Sequence, residues 1–201
     1  MRKLILLMAV VLAAMAIAAT TVAARDSSDE NGQAACTAPT TGGDTHDRSG
    51  VSAADHGSGT SGDDSMDGSS GDDNEHGGAG NDNIAGNAGN DDLNGDQGDD
   101  DICGDQGDDH MNGGAGDDQL DGGAGNDVEN GQAGNDQVNG ESGNDKLSGG
   151  PGNDVVRGGR GNDRINVRDG RRDHVNCGAG NDTVKADHKD VVSHNCEHVH
   201  R

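Results

Sequence analysis

Single aliphatic side chains recur at every ninth position along the middle of the chain, separated by glycine, asparagine and aspartate. Residues 59–166 divide without gaps into twelve nonapeptides. Positions seven and nine are mostly polar, and this alternation predicts a short strand with one side chain pointing inward. Position eight is apolar in ten of the twelve repeats: Met66, Ile84, Leu93, Ile102, Met111, Leu120, Val138, Leu147, Val156 and Ile165.

Four other positions of the unit have a fixed character. Positions one and four are glycine, position five is asparagine or aspartate, and position six is aspartate in all twelve repeats. Glycine permits positive φ and close backbone approach in a tight turn, and asparagine and aspartate tolerate the left-handed region next best. The density of glycine excludes helix. A flexible Gly/Asp linker is the alternative interpretation, but a linker needs no aliphatic residue every ninth position.

One unit of turn and strand cannot close a coil, whereas two units can, with their strands on opposite sides. Stacked coils of this kind predict an all-β fold with two parallel sheets facing each other across a thin aliphatic core. Turns then stack on turns, so that carboxylates and backbone carbonyls converge. Such a cluster of hard oxygen ligands suits Ca²⁺, which takes 6–8 of them.

Charge and composition make this folding conditional. The chain has a formal net charge of −24, 37 glycines and no Phe, Trp or Tyr. Residues 51–145 contain 25 Asp and Glu residues and no Lys or Arg. Such a block repels nucleic acid and anionic lipid, and low hydrophobicity with high charge is typical of disorder. We therefore expect a chain that is disordered without Ca²⁺ and folded with it.

The tandem pattern G-G-x-G-x-D-x-U-x, with U aliphatic, resembles the RTX or haemolysin-type calcium-binding repeat. The resemblance covers residues 59–166, with weaker copies beyond. It implies a right-handed parallel β-roll that holds multiple Ca²⁺ ions between its turns, with glycine-turn carbonyls completing each shell. The ligating carboxylates that it implies are Asp82, Asp91, Asp100, Asp109, Asp118, Asp127, Asp136, Asp145, Asp154 and Asp163.

Two repeats depart from the pattern at position eight, where Glu75 and Glu129 replace an aliphatic residue. Because Glu129 follows Val128, a local slip could bury Val128 instead. We expect the roll to be weak over 122–130 and frayed before Gly77.

The N-terminal segment has the features of an export signal. Arg2 and Lys3 precede an apolar run over 4–19, and small residues favour cleavage after Ala24. Residues 1–24 are thus predicted to be a signal peptide of a secreted protein, with an uncleaved anchor as the alternative. Residues 25–58 are predicted to form a disordered leader, and no later segment is expected to insert into a membrane.

The C-terminal segment, 167–201, is predicted to contain degenerate repeats, one with an inserted residue, and a cap. Cys177 and Cys196 flank the cap, and a disulfide between them is the expected pairing. Cys36 and Cys103 could form a second bridge or stay free, with Cys103 on the surface. The histidines of 194–200 could bind Zn²⁺ or Ni²⁺, or form a polar tail.

These features favour a secreted, non-catalytic calcium-binding protein with a structural or surface-interaction role. The alternative is a calcium-dependent adhesin, or an accessory module of a toxin or hydrolase system. The chain contains no H-E-x-x-H and no G-x-S-x-G motif, so we expect no catalytic activity. An ice-binding surface would need a regular row of threonines, but only Thr60 lies within the twelve repeats. The expected partners of the protein are calcium ions, and a cell-surface polysaccharide or protein could be a further one.

Overall fold

The described part of the protein is built from strands alone and forms a parallel β-solenoid. The computed structural model describes residues 45–47 and 56–201, and within them it contains 18 strands and no helix. The strands alternate between two nine-stranded parallel sheets, with odd-numbered strands in one and even-numbered strands in the other. The predicted all-β parallel roll is confirmed.

The strands are short, and the two sheets differ slightly in strand length. The odd-numbered sheet contains β1 (Thr45–Asp47), β3 (Ser65–Asp67), β5 (Asn83–Ala85), β7 (Asp101–Cys103), β9 (Gln119–Asp121), β11 (Gln137–Asn139), β13 (Val155–Arg157), β15 (His174–Asn176) and β17 (Val191–Val192). The even-numbered sheet contains β2 (His56–Ser58), β4 (Asn74–Ala79), β6 (Asp92–Gln97), β8 (His110–Ala115), β10 (Val128–Ala133), β12 (Lys146–Ser148), β14 (Arg164–Asn166), β16 (Thr183–Lys185) and β18 (His198–His200).

One coil is two nonapeptides long, as the repeat predicts. Ile84 pairs in register with Ile102, and Ile102 pairs with Leu120, each 18 residues on. The inserted residue of the degenerate repeat lengthens one coil, so that Val156 pairs with Val175. The insertion is accommodated in the turn, and the strands on both sides of it stay in parallel register.

The core consists of the position-eight side chains, which point inward from both sheets. All ten apolar residues predicted there are buried, with at most 2% of their surface exposed. They form two separate clusters, one ending at Leu120 and the other starting at Val138. The second cluster continues through Val167, Val175, Cys177, Val184 and Ala186 into the C-terminal segment.

The expected slip at Val128 does not occur. Glu129 pairs in register with Met111 and Leu147, and it is buried with 1% of its surface exposed, whereas Val128 is only half-buried. The expected weakness over 122–130 is also wrong, because β10 is six residues long and pairs with both neighbours. The hydrogen-bonded turns on either side hold the register against the cost of burying a carboxylate.

The roll is likewise continuous before Gly77, where fraying was expected. Strands β3 and β4 pair with partners on both sides. Strands β1 and β2 fall inside the predicted leader, 25–58, and the rest of that leader and the predicted signal peptide lie outside the described residues.

Position-one glycines are required for a different reason than positive φ. Gly140 has no left-handed φ, but a Cβ on it would lie 2.5 Å from Asp145 Oδ2 and 2.9 Å from the Gly158 carbonyl oxygen. The left-handed residues are at positions two and four, for example Gly78 and Gly80. At position two, Asn87 and Asp96 adopt the same conformation with φ of 71° and 73°.

The described cysteines all take part in disulfides. Cys177 forms a disulfide with Cys196, the pair expected from the sequence. Cys103 is also disulfide-bonded, and none of the described cysteines is free. For Cys103 the alternative of a free thiol is therefore wrong, and the alternative of a bridge to Cys36 cannot be described, because Cys36 lies outside the described residues. Cys103 is 2% exposed and packs against Ala85, so its predicted surface position is wrong.

Candidate metal centre

Two ladders of buried carboxylates run along opposite edges of the roll. In each ladder, the backbone N–H of a position-six aspartate donates to Oδ1 of its counterpart one coil on, at 2.8–3.2 Å. The first ladder comprises Asp64, Asp82, Asp100, Asp118, Asp136, Asp154, Asp173 and Asp190. The second comprises Asp73, Asp91, Asp109, Asp127, Asp145, Asp163, Asp182 and finally Glu197.

The second oxygen of most ladder aspartates has no partner. Twelve buried Oδ2 atoms accept no hydrogen bond, and a buried charged oxygen without a donor is strongly destabilising. These belong to Asp82, Asp91, Asp100, Asp109, Asp118, Asp127, Asp136, Asp145, Asp154, Asp163, Asp173 and Asp182. All ten residues predicted as ligands are in this set.

Ten of the twelve unpartnered oxygens, those of Asp82 to Asp163, each face a small space that only glycine leaves open. Beside Gly140, this space is bordered by Asp145 Oδ2 and by the carbonyl oxygen of Gly158 from the next coil. The same arrangement of carboxylate and carbonyl recurs at Gly131 with Asp136. A carboxylate oxygen and a backbone carbonyl are the hard ligands that Ca²⁺ prefers, so the residues present fit that ion.

Aspartates at the ends of the ladders have a hydrogen-bond partner for their second carboxylate oxygen. Asp64 Oδ2 accepts from the Thr60 N–H at 2.5 Å, and Asp73 Oδ2 accepts from the Ser69 N–H at 2.6 Å. At the other end, Asp190 Oδ2 accepts from a backbone N–H at 2.7 Å. The open oxygens are therefore confined to the coils between these ends.

Burial raises the pKa of the twelve aspartates that have an unpartnered oxygen, and for most of them neighbouring carboxylates raise it further. The hydrogen bond to Oδ1 opposes this shift only in part. The pKa reaches about 7 for Asp91, Asp100, Asp136, Asp145 and Asp173. It reaches about 6 for Asp109, Asp118, Asp127, Asp154 and Asp163. At neutral pH, a cation is thus needed to balance their ionised form.

Position five forms a second, exposed ladder that explains why asparagine and aspartate interchange there. The N–H of Asp99 donates to Asn81 Oδ1 at 3.0 Å, and the N–H of Asp117 donates to Asp99 Oδ1 at 2.8 Å. The acceptor oxygen carries the ladder, and both residue types supply it. Several of the asparagines also donate from Nδ2 to the residue one coil earlier, as Asn126 does to Asp108 Oδ1 at 3.0 Å. Position six instead needs a second acceptor oxygen facing the turn, which asparagine would replace with an NH₂ donor.

A family model of the RTX calcium-binding nonapeptide repeat matches the chain in four copies, over residues 49–74, 76–111, 104–129 and 130–166. Together these copies cover more than half of the chain. The chain belongs to the RTX calcium-binding repeat family. RTX repeats bind Ca²⁺ at multiple sites, and the aspartate-rich turns of this roll fit that role. No curated protein shows a significant match to the chain.

Each calcium site of this roll has few side chains that could act as ligands. Within the described residues, no three His, Cys, Asp or Glu side chains gather into one cluster. Backbone carbonyls must therefore supply much of each shell. The same observation gives no support to a Zn²⁺ or Ni²⁺ site in the described C-terminal tail, where His198 and His200 lie exposed in β18.

Sequence reasoning assigned too few residues to the ladders. Asp173 and Asp182 have the same unpartnered oxygen as the ten predicted ligands, and their place in degenerate repeats could have identified them. Asp190 and Glu197 had no such signal, because they follow their partners by 17 and 15 residues. Arg168 donates to the backbone carbonyls of Ala186 and His200 and not to a carboxylate. In the part of the chain that the structure describes, no helix has the length and apolarity to cross a membrane.

Removing calcium should make stability depend on pH. Because the folded pKa of these aspartates is raised, the folded calcium-free protein binds more protons than the unfolded chain between about pH 4 and 7. Its stability is therefore highest at low pH and decreases as pH rises through 6 to 7. We expect circular dichroism in EDTA to show more strand at pH 5.5 than at pH 8. Strand content that rises with pH would contradict this, and sedimentation controls for aggregation.

Filling one glycine space should disable one turn. We expect Gly140→Ala to reduce calcium stoichiometry and to destabilise the calcium-loaded roll, because its Cβ would displace Asp145 Oδ2 and the Gly158 carbonyl. Gly62→Ala is the matched control, since nothing lies within 4 Å of the added methyl group. Calorimetric titration and urea unfolding measure both. Equal behaviour of the two variants would show that the space is not used.

Proposed function

We propose that this protein is a secreted, non-catalytic structural module that folds as calcium fills its two carboxylate ladders. The supporting observation is the set of twelve buried, unpartnered Oδ2 atoms, ten of which lie beside a position-one glycine. The proposed ligands are the ten aspartates from Asp82 to Asp163, together with Asp173 and Asp182 and with turn carbonyls. When bound, calcium supplies positive charge that neutralises these oxygens.

Calcium-dependent folding follows from the balance of forces in the roll. The core contributes a single inward side chain per nonapeptide, which is set against the conformational entropy of nine residues. Without cations, stacked carboxylates add repulsion to that cost. Binding free energy therefore becomes folding free energy, and calcium in excess shifts the equilibrium toward the roll.

A calcium titration tests this function. We expect circular dichroism to show strand formation at millimolar or lower calcium, with the hydrodynamic radius falling by about a factor of two. Magnesium at the same concentration is the control, because Mg²⁺ demands a smaller and more regular shell. A spectrum and a radius that ignore millimolar calcium would refute the proposal.

Secretion is supported by the apolar run over 4–19 and its cleavage site after Ala24. Expression of the whole chain should release protein into the medium or the periplasm with Arg25 as its first residue. Intact-mass measurement of the exported protein checks this. Retention of residues 1–24 on a membrane-bound product would favour the uncleaved anchor.

A further inference from the structure

Glu129 occupies position eight of its repeat, a core position that ten of the twelve repeats fill with an apolar side chain. It points inward from β10, in register between Met111 and Leu147, with 1% of its surface exposed. The two aliphatic clusters of the core end on either side of it, at Leu120 and Val138. A carboxylate at this place interrupts the core and must be balanced by something.

No neighbouring group within the described residues balances it. Neither Oε1 nor Oε2 has a hydrogen-bond partner. Burial raises the pKa of Glu129 well above its ordinary value, and the carboxylates of Asp127, Asp121 and Asp145 raise it further. The Asn139 backbone N–H opposes this only weakly. The electrostatic neighbourhood is thus one that attracts a cation.

Glu129 also reaches into the calcium turn of its own repeat. Residues 127 and 129 lie on the same face of the chain as it enters β10, so both carboxylates point inward. A Cβ on Gly122 would lie 2.6 Å from Asp127 Oδ2 and 2.7 Å from Glu129 Oε1. At the corresponding glycine one coil on, Gly140, the second oxygen is a backbone carbonyl. At Gly122 a glutamate oxygen therefore lies as close to the glycine space as the backbone carbonyl does at Gly140.

We propose that Glu129 is a side-chain ligand of one calcium ion at the Asp127 turn, which gives this turn one more carboxylate than the others. The inference rests on the proposed calcium-dependent function and adds a residue that the nonapeptide pattern does not contain. Calcium affinity in proteins rises with the number of charged ligands. This turn is therefore the tightest calcium site of the roll. Its ligand Glu129 lies in the core, between the cluster that ends at Leu120 and the cluster that starts at Val138.

Substitution of Glu129 by glutamine removes the charge with little change in shape. We expect E129Q to lose the tightest calcium or to weaken it by at least about tenfold. Competition with a chromophoric chelator measures the affinity, and equilibrium dialysis measures the stoichiometry. E141Q is the matched control, because Glu141 lies in the turn one coil after the Asp127 turn and accepts a hydrogen bond from Asn139 Nδ2 at 2.8 Å, which glutamine preserves.

A second variant separates ligation from folding. E129L restores the aliphatic residue that Leu120 and Leu147 have at this position, so it should fold even where E129Q does not. We expect E129L to show more strand than wild type in EDTA, because a buried carboxylate is removed. It should also bind one tight calcium fewer, although its core is continuous.

The outcomes distinguish this inference from the function on which it rests. If wild type binds calcium, and E129Q and E129L bind it with the affinity and stoichiometry of E141Q, then Glu129 is a protonated core acid and the inference is wrong. The proposed function would still stand in that case. If wild type binds no calcium, both fail together.

Discussion

Each coil of the roll places two carboxylates inside its turns, and the rest of the structure depends on how they are accommodated. One oxygen of each holds the N–H of the preceding coil. In twelve of these aspartates the other oxygen stays buried without a donor. The same side chain therefore provides the stacking contact and carries the oxygen that we propose to bind calcium. Replacing it with an apolar residue would remove the hydrogen bond that holds the register as well as the proposed ligand.

This constraint explains the composition. The interior between the sheets is filled by one layer of Ile, Leu, Val and Met, with small residues such as Ala85 beside it. Glycine is needed where the turns of Asp82 to Asp163 approach the carboxylates. A composition that by itself indicates disorder is thus the composition that a cation-filled roll requires.

The period of the sequence was sufficient to predict the coil length and the inward positions. The resemblance to the RTX repeat implied ten ligands, and all ten are among the twelve aspartates with an unpartnered oxygen. Local deviations were not predictable from it. The register at Glu129 depends on hydrogen bonds in the flanking turns, which outweigh the burial of a carboxylate and leave Val128 half-buried. Asp190 and Glu197, at the C-terminal ends of the ladders, accept hydrogen bonds from Asp173 and Asp182 although they do not follow the repeat spacing. The burial of Cys103 similarly follows from packing against Ala85.

The two halves of the roll contain the same unpartnered carboxylate oxygens but differ in the charge of the surrounding segment and in how they end. The cluster from Met66 to Leu120 lies within the stretch 51–145, which has no basic residue, so its carboxylates depend on bound cations for neutralisation. The cluster from Val138 onward continues into a segment with basic residues and is closed by the Cys177–Cys196 disulfide. Glu129 lies where the two meet. A cation bound there would act on both clusters, because it neutralises the charge that separates them and fixes the turn next to the gap. The position that looks like a defect in the apolar pattern is therefore the one at which metal binding and core continuity are most directly coupled.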